Sequence, residues 1–146
     1  MITIGTLKNL PADAHYIGRL LDSSLGNPFA VAGNTVTNVV KGYRIYLNLV
    51  VEKGFTPTEA IPEIKRLHPE LKLHVSNGWK VPTAADMVKE LQALKSQLKA
   101  GKPIALACHC YKLETEWKGQ YAYRCHAEPI AGWLMWQLAQ DKLPVA

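Results

Sequence analysis

All three cysteines and two of the five histidines of the chain fall in two short stretches, Cys108-His109-Cys110 and Cys125-His126. Soft ligands of this kind suit zinc, and Cys108, Cys110, Cys125 and His126 would supply four. Residues two apart on a strand point the same way, so Cys108 and Cys110 could face one ion. The single residue between them, and the direct adjacency of Cys125 and His126, depart from the two-to-four-residue spacing of structural zinc sites. A second chemistry is nucleophilic. Cys125 stands at or just before a helix start, where unsatisfied N–H groups favour thiolate, and Arg124 and His126 add positive potential. Cys125 and His126 are then the candidate catalytic pair, although the sequence identifies neither a base nor an oriented substrate. A third reading needs no thiol chemistry: the helix start binds phosphate or carboxylate through its amides, with the cysteines as small wall residues and His126 as donor. The fourth is packing alone, since cysteine behaves as a small buried hydrophobe.

The elements that would position these residues follow from periodicity. PIALAC (103–108) is a continuous apolar run of strand length, as expected for a strand covered on both faces. It ends at the first cysteine pair. AEPIAGWLMWQLAQ (127–140) reads as a helix with Glu128 and Pro129 in its first turn, and it begins at Cys125-His126. Ile130, Trp133, Leu134, Gln137 and Leu138 mark its inner face. Between Thr83 and Gly101 lies a further helix, capped by Thr83 with Asp86, whose Ala84, Met87, Val88, Leu91, Leu94 and Leu98 share a face. Another runs from a cap at Asn34 or Thr35 to a stop at Gly54, with Val36, Val39, Val40, Tyr43, Leu47 and Val50 on one side and Lys41, Arg44, Asn48 and Glu52 on the other. Gly42 inside it costs about 1 kcal/mol relative to alanine unless something packs close against it. MITIGTLKN reads as a first strand and His15–Arg19 as a short strand beside it. Residues 56–82 read as an insertion: a short helix with Pro62 in its first turn, an end at Pro69, a strand at LKLHV and a turn at Asn77-Gly78.

At 146 residues and 48% hydrophobic content, the chain is one domain, 1–146, able to bury roughly two thirds of its unfolded surface. No apolar run reaches membrane-spanning length, and MITIGTLKNLPAD lacks the pattern of a secretory signal. A cytoplasmic location with reduced thiols is therefore expected, and the odd cysteine count argues against a disulfide framework. The net charge is +5, with eight basic and four acidic residues over 61–102 and balanced counts over 103–146. The excess is spread along helix faces, not interleaved with aromatics, which argues against a nucleic-acid partner and leaves attraction for a small anion.

The front of the chain holds Tyr16-Ile17-Gly18-Arg19 and Leu25-Gly26-Asn27-Pro28-Phe29. Gly18 allows close backbone approach, Gly26-Asn27-Pro28 is turn chemistry, and the Arg19 fork suits phosphate or carboxylate. Taken in order, Y-I-G-R, L-G-N-P-F, a strand ending C-x-C and a C-H before the last helix resemble the marks of a family of small bacterial and phage domains of unknown function. The middle of C-x-C is His109 here, where that pattern has Trp. The resemblance implies an α/β fold, a small Rossmann-like single domain with a short, mostly parallel sheet flanked by helices, and one cleft shared by the four marks.

The expectation is a cleft with Tyr16, Gly18, Arg19, Gly26, Asn27 and Phe29 on one wall and Cys108, Cys110, Cys125 and His126 on the other. Its ligand would be a small anion, a nucleotide or nucleotide-derived phosphate, with Tyr16, Phe29 or a tryptophan stacking on a ring. Sequestration and turnover both stay open. As an enzyme it would be a hydrolase or transferase on a nucleotide-like substrate, using Cys125 or a carboxylate such as Glu128. No cofactor is expected, no membrane is involved, and a homo-oligomer is compatible. A phage-encoded protein would act in the host cytoplasm. The alternative is a zinc-stabilised interaction module held by Cys108, Cys110, Cys125 and His126, with no small-molecule substrate.

Overall fold

The computed structural model describes residues 2–6, 13–18, 23–108 and 115–141. Arg19, His109 and Cys110 lie outside them. The element order is β1 (Ile2–Gly5), β2 (His15–Tyr16), α1 (Val36–Leu47) continued by a π-helical turn (Asn48–Glu52), α2 (Pro57–Leu67), a 3-10 turn (Pro69–Leu71), α3 (Ala84–Lys99), β3 (Ile104–Ala107), β4 (Thr115–Glu116) and α4 (Ala127–Asp141). This is a mixed α/β fold. No helix among the described residues is long and apolar enough to cross a membrane.

The sheet order is β2-β3-β1-β4, with β1, β3 and β2 parallel and β4 antiparallel to β1. The apolar IALA strand takes a central place because its side chains are covered: Ile104, Leu106 and Ala107 are buried. The second strand is therefore next to β3, not beside the first strand as the sequence suggested. It is two residues long, too short to carry a pattern that names its neighbour. β4, also two residues long, has no period-2 signal and is absent from the sequence reading. LKLHV is not a strand: only Val75 bridges, antiparallel to Phe29.

Helix boundaries follow local chemistry. Thr35 and Thr83 cap α1 and α3 by accepting from the amides of Asn38 and Asp86. Gly54 and Gly101 stop the chain at φ +78° and +80°, where a Cβ would be strained. Thr56 and Glu59 form a reciprocal capping box, so α2 starts at Pro57 and Pro62 falls inside the helix. The 56–82 segment supplies Ala60, Ile64, Leu71 and Leu73 to the one hydrophobic core. Gly42 is buried under Leu73 and Phe29, which is the close packing that offsets its poor helix propensity. α4 packs on both α1 and α3, and Lys95 and Lys99 of α3 clasp Asp141 at its last turn (3.1 and 2.9 Å).

Candidate functional site

Gly5, Ala107 and Tyr16 stand in register across the carboxyl ends of β1, β3 and β2. The next residues continue the pairing: Cys108 N–H donates to the Gly5 carbonyl (2.9 Å) and Ile17 N–H to the Ala107 carbonyl (3.0 Å). Three parallel strands thus end side by side, and in open α/β sheets that edge is where ligands bind. Arg19 and Cys110, the other charged and thiol residues of the two motifs, lie outside the described residues.

The start of α4 reaches the same edge. The His126 ring is buried, its Nε2 donates to the Ile17 carbonyl (2.7 Å), and it meets Tyr43 edge-on at 5.0 Å between centroids. Because the carbonyl only accepts, Nε2 carries a proton. Tyr43, fully buried, donates to the Leu25 carbonyl (2.6 Å). Burial, first, and then the neighbouring Tyr46, Glu90 and Cys125 push its phenol well above the ordinary value, so it acts as a neutral donor. Tyr16 lies across Gly18, where a Cβ would overlap the phenol ring. Of the sequence-predicted residues, Tyr16, Gly18, Cys108, Cys125 and His126 are near the strand ends or the helix start. Asn27 and Phe29 serve packing: Asn27 Oδ1 accepts the Phe29 amide (2.9 Å) in an Asx turn, its side-chain amide reaches the Val39 carbonyl (3.4 Å), and Phe29 is buried against Gly42. Gly26 is buried within the same turn.

The helix start is largely satisfied from within. Glu128, fully buried, accepts the amides of Ala122 (2.6 Å), Arg124 (2.6 Å) and Cys125 (3.2 Å). The Cys125 sulfur accepts the Ala127 amide (3.3 Å), and the Glu128 amide donates to the Cys125 carbonyl (3.1 Å). The Glu128 carboxylate thus supplies the acid half of a capping box, while the Cys125 sulfur caps the amide two residues on rather than three. The amides of Cys125, Ala127 and Glu128 are engaged by the chain itself. The acid three residues after Cys125 is a capping signal readable in the sequence.

Glu90 was not among the residues singled out by sequence. It accepts from His15 Nε2 (2.6 Å), Ser23 Oγ (2.7 Å), and Ser24 through its amide (2.9 Å) and hydroxyl (2.8 Å). Burial alone would raise its carboxyl, but the hydrogen bonds from His15, Ser23 and Ser24 outweigh it and hold the group below the ordinary carboxylate range. Its spacing from Met87 and Leu94 places it on the flank of the buried stripe of α3, the one local hint of its role. Together Glu90, Tyr43 and His126 pin the front segment on either side of residues 19–22.

Cys108 and Cys125 are buried, and among the described residues no three His, Cys, Asp or Glu side chains lie close enough to hold a metal ion. Cys110, needed for the four-ligand zinc set, lies outside them.

A mixed α/β domain whose parallel strands end against a Cys-His helix start is the class these features define. The chain belongs to a family described as Domain of unknown function (DUF4326), whose model matches residues 5–136. No curated protein and no solved structure matches it.

Proposed function

We propose that this domain binds a small anionic ligand, a nucleotide or nucleotide-derived phosphate, in a Rossmann-like manner at the carboxyl edge of its parallel strands. The observation that carries the reading is the 2.7 Å bond from His126 to the Ile17 carbonyl. It joins the two motif-bearing segments at the strand ends, where α/β sheets receive ligands. With the amides at the start of α4 engaged by Glu128 and Cys125, the anion is met chiefly by the Arg19 guanidinium, a planar fork suited to phosphate. The Tyr16 ring supplies the stacking surface. Where the ligand is turned over, Cys125 is the nucleophile. With Nε2 committed to Ile17, His126 exchanges protons through Nδ1.

Mass spectrometry of small molecules released on denaturing protein purified from cells tests the reading, followed by calorimetry with nucleoside mono-, di- and triphosphates. Binding that falls about tenfold or more in Arg19→Ala and Tyr16→Ala is expected, as for loss of a charge-assisted contact. No released nucleotide and no titratable heat, together with about one zinc per chain whose chelation unfolds the protein, would replace the reading with a zinc-stabilised interaction module.

A further inference from the structure

Away from the strand ends, α1 with its π-helical extension, α4 and the loop before α4 line an open cleft of about 290 Å³. Arg44, Asn48 and Glu52, four residues apart, form one wall; Trp133 and Trp136 of α4, with Tyr121 from the preceding loop, form the other.

Several features mark it as a formed site. The Arg44 guanidinium lies 4.0 Å over the Tyr121 ring, and its Nη1 donates to the Tyr123 hydroxyl at 3.0 Å. An exposed arginine ordinarily keeps about 2 kcal/mol of rotamer entropy; here the fork is already fixed, so an arriving anion meets a pre-set donor. The wall beyond it is built by the π-helical turn Asn48–Glu52, a rare conformation concentrated at functional sites. Gly132 lets the Tyr121 hydroxyl seat against α4, since a Cβ there would overlap it. Trp133 is held by its Nε1 bond to Glu52 Oε1 (2.6 Å), while Trp136 stays 48% exposed at the mouth.

The two ends differ in charge. Arg44 and Glu52 stand at opposite ends of the wall, Arg44 on α1 and Glu52 at the end of the π-helical turn. An anionic group fits the Arg44 end, and the carboxylate of Glu52 repels a second one while accepting from a ring N–H or amino group. The volume is at the lower bound for ligand pockets, about 300 Å³, which suits one ring system. We infer that this open cleft binds a heteroaromatic or amino-substituted aromatic anion, its ring against Trp136, its carboxylate or phosphate on Arg44 and its N–H donor toward Glu52.

Tryptophan fluorescence of the full chain, titrated with 4-aminobenzoate, indole-3-acetate and AMP, tests this and separates carboxylate from phosphate. At least one probe should give saturable quenching that weakens about tenfold in Arg44→Met, the scale of one lost charge-assisted contact. Arg44 also steadies Tyr121, so Trp136→Ala, at an exposed position, is the second variant: it should weaken binding with an unchanged melting midpoint. Absence of saturable quenching with all three probes overturns the inference. So does binding that survives unchanged in both variants, or a signal lost in Tyr16→Ala but kept in Arg44→Met, which would belong to the strand-end cleft.

Discussion

His126 and Ile17, 109 positions apart, share a buried hydrogen bond of 2.7 Å that ties the start of the last helix to the end of β2. Removing the ring leaves a buried carbonyl unpaired and opens a gap beside Tyr43. His126→Ala should therefore lose about 3 kcal/mol, and His126→Phe, which fills the space without the donor, about 1–2 kcal/mol. Urea unfolding midpoints measure both. A midpoint for His126→Ala equal to that of the wild type contradicts the claim that this bond holds the strand end.

Glu90 makes acid stability a property of the front segment. Its folded carboxyl titrates below the ordinary 4.5, with the bonds from His15, Ser23 and Ser24 overcoming the opposing effect of burial. A depressed folded value means the contribution is fully present above pH 4.5 and disappears as the pH falls through the folded value. Glu59, Glu70 and Asp141 are also held low, but at the surface, so the comparison with Glu90→Gln isolates Glu90. The melting midpoint of the wild type should fall more steeply than that of Glu90→Gln between pH 5 and about pH 3. Parallel acid limbs would show that the cluster does not couple protonation to folding.

Where information is local, the sequence announces it. Thr35 and Thr83 at helix starts, Gly54 and Gly101 at helix ends, and the apolar 104–107 run each state their role through capping, φ preference or burial. That a strand ends before Cys108 and a helix begins just after Cys125-His126 follows from those boundaries. Long-range polar choices do not. The partners of Glu90 lie 66 to 75 positions away, and no periodicity encodes which loop a helix flank will hold. Glu128 looks like an ordinary first-turn acid, yet it is fully buried, because it faces a loop whose amides have no sheet or helix to bond. The neighbour of β2 was equally hidden, since two residues carry no register.

The loop before α4 is predicted to depend on Glu128. It carries Tyr123 at φ +54°, a conformation costing a bulky residue on the order of 1–3 kcal/mol. The three amides gathered by Glu128 offset that strain, assisted by Lys41 and Arg44 on the Tyr123 and Tyr121 rings. Glu128→Gln turns one acceptor into a donor facing N–H groups and should lose about 2 kcal/mol; Glu128→Ala should lose about 3–4 kcal/mol. Near-UV circular dichroism should change in step, since the Tyr121 ring contacts both Trp117 and Tyr123. A Glu128→Gln protein with wild-type stability would show that this carboxylate does not hold the loop.

Gly42 sets two magnitudes against each other. Alanine in a helix interior is favoured over glycine by about 1 kcal/mol, so propensity alone predicts that Gly42→Ala stabilises. The added Cβ would lie 2.7 Å from Leu73 Cδ1 and 3.2 Å from Phe29 Cδ2, and overpacking of this kind costs about 1–3 kcal/mol. Phe29 is further constrained by the Asn27 turn and by its bridge to Val75, so neither ring nor backbone can easily retreat. The packing cost wins, and Gly42→Ala should lose about 1 kcal/mol in chemical denaturation. Shortening the neighbour separates the terms: in a Leu73→Ala background the same substitution should become neutral or stabilising. If Gly42→Ala is equally destabilising in both backgrounds, the clash with Leu73 is not its cause.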